Sequence, residues 1–155
     1  MCCHRTVASR RDVCKQQFNV YPWQTCLNTM SISIVQLGSR KNRLEGPRLG
    51  TVRRPPRGVF KADQRKFYDV WFPNLAPSAD LLSRKLDLTD DRAWGVFSRA
   101  FRREMNQRDR SRELDVLAKL SRKSDFSMGC YCSDESRCHR SLLRELLKER
   151  GAKLR

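Results

Sequence analysis

From Ser31 onward the apolar residues of this chain recur with two different periods, and the order of those periods constrains the fold more than any other feature. Residues 31–37 alternate in the strand manner, since successive side chains of a strand point to opposite faces. Residues 38–46 form a polar loop rich in Arg and Lys. Residues 49–52 are a short second strand that runs straight into Arg53-Arg54-Pro55-Pro56-Arg57-Gly58. Neither proline can donate to a ladder, so the strand stops there and three arginines are displayed on a stiff loop. Residues 67–72 predict a third strand, with Tyr68, Val70 and Phe72 on one face and Phe67, Asp69 and Trp71 on the other.

The helical period follows. Ser78 is a suitable N-cap for a helix carrying Leu81, Leu82 and Leu86, and Thr89 for a stronger one carrying Ala93, Trp94, Phe97, Phe101 and Met105, which Gly95 weakens slightly. Ser111 opens a third helix, with Leu114, Leu117 and Leu120 at steps of three. After a break at Ser124 and Asp125, residues 126–132 read as a strand. Residues 138–150 read as a final helix, with Leu142, Leu143, Leu146 and Leu147 on one stripe and Gly151 at its C′ position. This order predicts an α/β domain of three-layer, Rossmann-like type: a mainly parallel sheet flanked by helices on both faces.

The chain has 155 residues, which suits one domain. No apolar run approaches the roughly 18 residues of a spanning helix, so no membrane partner is expected. The formal charge of +16 and the pI near 10.3 draw such a chain toward polyanions. Arginine on solvated faces produces the same charge, so the charge alone leaves the partner open.

Residues 1–29 differ from the rest. Cys2, Cys3, Cys14 and Cys26 fit neither a disulfide framework nor a zinc spacing, and neither an apolar period nor the apolar stretch of a signal peptide is present. Met30 is therefore the expected start of the folded body, a single domain over residues 30–155, with residues 1–29 a disordered tail or an upstream extension. The body keeps three cysteines and one histidine, all between Cys130 and His139. So few thiols in a chain without a signal point to the reducing cytoplasm.

Residues 130–140 are the candidate site. In open α/β sheets ligands bind beyond the carboxyl ends of strands, where loops lead into helix N-termini, and this segment is such a passage. One reading is a site for an anionic small molecule, a nucleotide or a nucleic acid, made by Arg53, Arg54 and Arg57 with the helix start and Arg140, because guanidinium groups bind phosphate bidentately. A second is a thiol enzyme, with Cys132 or Cys138 as nucleophile and His139 or Arg140 as activator. The six residues from Cys132 to Arg137 have the length of a rhodanese-type loop, yet Asp134 and Glu135 within it repel an anion. A third is a zinc-stabilised module using Cys130, Cys132, Cys138 and His139. It is disfavoured because Cys138 and His139 are adjacent and diverge on a helix. The bland alternative makes the cysteines small buried hydrophobes and the arginines solvated. No cofactor is expected.

The segment Gly129-Cys130-Tyr131-Cys132 through Cys138-His139-Arg140-Ser141-Leu142-Leu143 resembles the terminal motif of the DUF488 family, a domain found mainly in bacteria. Arg53-Arg54-Pro55-Pro56-Arg57-Gly58, the Ala76-Pro77-Ser78 turn and the helix bearing Trp94, Phe97, Phe101 and Glu104 carry the resemblance over nearly everything from Met30 onward. It implies a single α/β domain and a shared pocket at Arg53, Arg54, Cys130, Cys138, His139 and Arg140, and supplies no substrate. Cys132 stands where many members carry Glu, so no general acid is implied at that position here.

Overall fold

The computed structural model describes residues 30–155, and the expectation about residues 1–29 lies outside the described residues. Strand β1 (Ile32–Gln36) is followed by β2 (Arg48–Gly50), β3 (Val70–Trp71), α1 (Ala79–Ser83), α2 (Asp91–Met105), α3 (Arg108–Leu120), β4 (Phe126–Cys130) and α4 (His139–Glu149). The four strands form one sheet in the order β1-β4-β2-β3, every pair parallel. The mainly parallel α/β fold expected from the alternation is therefore present, and the last strand lies inside the sheet. All five residues of β4 are buried.

Register divides the sheet into two faces. Ile32 pairs with Phe126, and Ile34 and Leu49 both pair with Met128, so these side chains form rows on one face. They join Phe97, Phe101 and Met105 of α2, Leu114 and Leu117 of α3 and the four leucines of α4 in the main core. Each fully buried leucine contributes about 2 kcal/mol of transfer free energy, so the α4 stripe contributes substantially to stability. On the other face Gly129 and Gly50 lack side chains for a reason: a Cβ there would lie 2.7 Å from Leu37 and 2.6 Å from the ring of Tyr68. Leu37 and Tyr68 lie over these glycines and, with Val52, Cys130 and Cys138, build a second, smaller cluster.

Several local expectations change. Thr89 does not cap α2: its hydroxyl donates to Asp87, and Asp90 accepts from the Ala93 amide instead (2.8 Å). Both residues are good caps, and the Asp87 turn takes Thr89 away. Ser111 lies inside α3, which begins three residues earlier at Arg108. The third strand is short, because Phe67 closes a 3₁₀ helix over Lys61–Lys66 that buries no side chain and so leaves no apolar period. Ser78 caps α1 as expected, accepting from the Leu81 amide. Glu104 of α2 in turn accepts from the Ser78 amide (2.9 Å) and hydroxyl and pairs with Arg110, so it is a clamp on this turn. At the end of α4, Gly151 takes φ +74°, and the Ala152 amide reaches back to the Leu147 carbonyl to complete a Schellman motif.

Gly46 and Gly58 separate two costs of adding a side chain. Both have positive φ, +64° and +70°, but a Cβ at Gly46 would lie 1.9 Å from the Asp125 carbonyl oxygen, whereas one at Gly58 meets nothing within 4 Å. Gly58→Ala is expected to cost about 1 kcal/mol from backbone strain alone, and Gly46→Ala about 3 kcal/mol or more. Thermal melts check this, with equal shifts for the two variants as the contrary result.

Candidate functional site

Because β2 and β4 are parallel neighbours, the chain leaving Gly50 and the chain leaving Cys130 emerge side by side at the carboxyl edge of the sheet. The first becomes the arginine loop; the second runs through residues 131–138 into α4. Together they line one pocket of about 390 Å³. Arg53, Arg54, Arg57 and Arg137 contribute to its wall, and among the described residues no carboxylate does. Pro55, Pro56, Leu82, Leu88 and Phe97 supply apolar surface, and Cys130, Cys132, Cys138 and His139 complete it.

The arginines have different employments. Arg53 is half-buried and donates from Nε to the Pro77 carbonyl (2.9 Å) and from Nη2 to that of Ala76 (3.1 Å), so it braces the loop against the turn that leads into α1. Arg54 and Arg57 are exposed, and among the described residues no carboxylate pairs with them. Arg137 pairs with Asp91 (2.6 Å) and lies over the Trp94 ring. Arg140, expected on the ligand, is 3% exposed and does not line the pocket; it donates from Nη2 to the Cys132 carbonyl (2.7 Å). Asp134 and Glu135 also face elsewhere. Asp134 accepts from the Ser136 amide and hydroxyl, and Glu135 pairs with Arg144, so the repulsion expected from them is directed away from the pocket.

The three cysteines converge. Their sulfurs all lie within 4.8 Å of one another, with Cys130 and Cys132 at 3.6 Å. Cys130 and Cys138 are buried and Cys132 is exposed. Such a group shares its protons unequally. Cys130 is raised well above the ordinary thiol range by its hydrogen bonds to Cys132 and Cys138 and by burial. Cys132 is lowered, first by the hydrogen bonds from Cys130 and Cys138 and then by the positive charge of Arg140, so it is the group that ionises. Cys138, at the N-cap of α4, is also lowered, chiefly by its bond with Cys130.

His139 does not join this set. Its Nε2 lies 2.8 Å from the Thr51 carbonyl, which can only accept, so Nε2 carries the proton. The lone pair of Nδ1 is then left toward Cys138 Sγ at 3.6 Å. The ring thus ties the loop after β2 to the start of α4 and orients one thiol. The four-ligand metal set read from the sequence reduces to three sulfurs. Thr51, Arg137 and Leu88 escaped the sequence reading: Thr51 acts through its backbone, Leu88 sits in a loop, and only Arg137, next to the Cys-His-Arg motif, offered a signal.

Such a pocket, at the carboxyl edge of a parallel sheet and walled by arginines and thiols, defines an α/β domain with a candidate ligand site at strand ends. Residues 32–151 match the family model described as DUF488-N3a, active DUF488-N3 subclade, and the chain belongs to the DUF488 family. No curated protein and no solved structure matches the chain significantly. Among the described residues no helix is long and apolar enough to cross a membrane.

The ionisation order yields a pH prediction. A lowered pKa keeps the Cys132 thiolate populated as pH falls, so in reduced, chelator-treated protein its alkylation by iodoacetamide should slow less than about twofold from pH 8 to pH 6. An ordinary thiol loses roughly 75-fold over that interval. Peptide mass mapping at Cys132 reads the rate, and the ordinary profile there would contradict the assignment.

Proposed function

We propose that this protein binds a phosphorylated or otherwise anionic small ligand, of nucleotide size, in the pocket between the arginine loop and the start of α4. The observation that carries the reading is the composition of that one wall: four arginines, no carboxylate among the described residues, and an apolar surface that suits a base or similar ring. Arg54 and Arg57 are the phosphate-binding groups, because Arg53 is engaged with backbone carbonyls and Arg140 is buried. The net charge of +16 adds long-range attraction for the same class of ligand. The three free thiols favour a reducing compartment, the cytoplasm, as the setting. The thiol-enzyme reading has one observation in its favour, the exposed and readily ionised Cys132 at the pocket.

Isothermal titration with ATP, inorganic pyrophosphate and a short single-stranded oligonucleotide tests the proposal. Arg54→Ala/Arg57→Ala should weaken ATP or pyrophosphate binding on the order of a hundredfold, as expected for two charge-assisted contacts. A response confined to the oligonucleotide would replace the small ligand by a nucleic acid. Equal affinities of wild type and variant for all three would contradict the proposal.

A further inference from the structure

We propose that Cys130, Cys132 and Cys138 form a three-sulfur site for a thiophilic d¹⁰ metal ion, zinc(II), whose fourth position opens onto the arginine-walled pocket. Spacing is the first support. Tetrahedral zinc thiolates have Zn–S distances of about 2.3 Å and hence sulfurs about 3.8 Å apart. Here the closest pair is at 3.6 Å and all three are within 4.8 Å. The ligands come from a buried strand end, the residue two further on, and a helix N-cap, so two of the three are fixed by the core. Only rotation of short side chains is needed to close the set.

Charge is the second and independent support. Arg140 is as buried as Arg48, at the opposite edge of the sheet, but their partners differ. Arg48 has the buried Glu45 carboxylate at 2.5 Å. Arg140 has no carboxylate within 4.0 Å among the described residues, a single hydrogen bond to the Cys132 carbonyl, and a buried Nε without a partner. An uncompensated buried cation costs several kcal/mol, so a negative charge is called for beside it. The acidic side chains of the neighbouring loop do not provide it, since Asp134 and Glu135 are engaged with Ser136 and Arg144. A zinc ion with three thiolates carries one negative charge and supplies that counter-charge permanently, whereas the metal-free cluster supplies it only while Cys132 is ionised.

Metal capture needs no oxidant. The zinc–sulfur bonds form as S–H bonds break, and protons go to solvent: three from three thiols, or two where Cys132 is already ionised. His139 stays outside the metal's ligands and keeps hold of the arginine loop through Nε2, while the contact of Nδ1 with the Cys138 S–H is given up as that thiol loses its proton. The open position takes water, or an oxygen of the bound anion, which deepens the function proposed above and rests on it for that last step. Metal binding also withdraws Cys132 from use as a free nucleophile, so the two roles exclude one another.

The test is metal content and zinc titration of the full reduced chain against a chromophoric chelator. One zinc per chain is expected, with proton release on binding and, after cobalt(II) substitution, intense thiolate-to-metal absorption. Cys132→Ser replaces an exposed side chain, so it should fold, and should weaken zinc binding on the order of a hundredfold or more. Cys2→Ser/Cys3→Ser/Cys14→Ser/Cys26→Ser should leave binding unchanged, which separates this site from the other four cysteines. Less than one zinc per chain in wild type, no effect of Cys132→Ser, or loss of binding in the fourfold variant would each overturn the proposal. Arg54→Ala/Arg57→Ala should keep its zinc, so a failure of the anion reading and a failure of the metal reading remain distinguishable.

Discussion

The parallel pairing of β4 between β1 and β2 is the constraint on which the rest of the molecule depends. It places a fully buried strand at the centre of the sheet and delivers Cys130 at its carboxyl end, beside the point where β2 releases the arginine loop. The glycines at 129 and 50 let Leu37 and Tyr68 close over the backbone there. Without that close approach the second cluster, which holds Cys130 and Cys138, would lose its cover. The pocket is thus a product of strand order, and its residues meet across about 80 positions of sequence because two neighbouring strands end together.

Among the described residues the charges divide into largely exposed pairs of small consequence, the partly buried pair of Glu104 with Arg110, and two fully buried arginines. Ion pairs such as Lys66 with Asp63 are largely exposed and contribute little. Arg48 is buried with its carboxylate and also donates its amide to Asp69, so it fixes the amino edge of β2. Arg140 is buried at the carboxyl edge with the sulfur cluster as its only candidate counter-charge among the described residues. The basic surface favours anions, while the hydrogen bonds among the thiols, and after them the charge of Arg140 on Cys132, give the thiols their order of ionisation.

Much of the fold was legible because its cues are local. The alternation of β1, the leucine stripe of α4 and the C′ glycine each arise from a few adjacent residues, and Ser78 caps the helix it was expected to cap. The 3₁₀ helix over Lys61–Lys66 was not legible, since a segment that buries nothing has no period. The start of α3 was misplaced because Gln107 offers no side-chain cap, leaving Ser111 as the nearest conventional signal. In the site, helix geometry suggests that Cys138 and His139 diverge, but only Nε2 of the ring turns away, to Thr51, while Nδ1 meets the Cys138 sulfur at 3.6 Å. The convergence of the third sulfur was not legible, because it depends on how the eight-residue excursion of residues 131–138 returns to a strand end. Arg53 and Arg140 look alike in sequence to Arg54 and Arg57. Only burial and backbone carbonyls separate the braces from the free guanidinium groups.

That the arginine loop and the thiol cluster make a single site is most directly tested by protection. In reduced, chelator-treated protein at fixed pH, iodoacetamide labelling of Cys132 is followed with and without saturating ATP. A single site predicts that ATP slows labelling at least about tenfold and that Arg54→Ala/Arg57→Ala abolishes the protection at the same ATP concentration, in line with the loss of two charge-assisted contacts. An unchanged labelling rate with ATP demonstrably bound would contradict it.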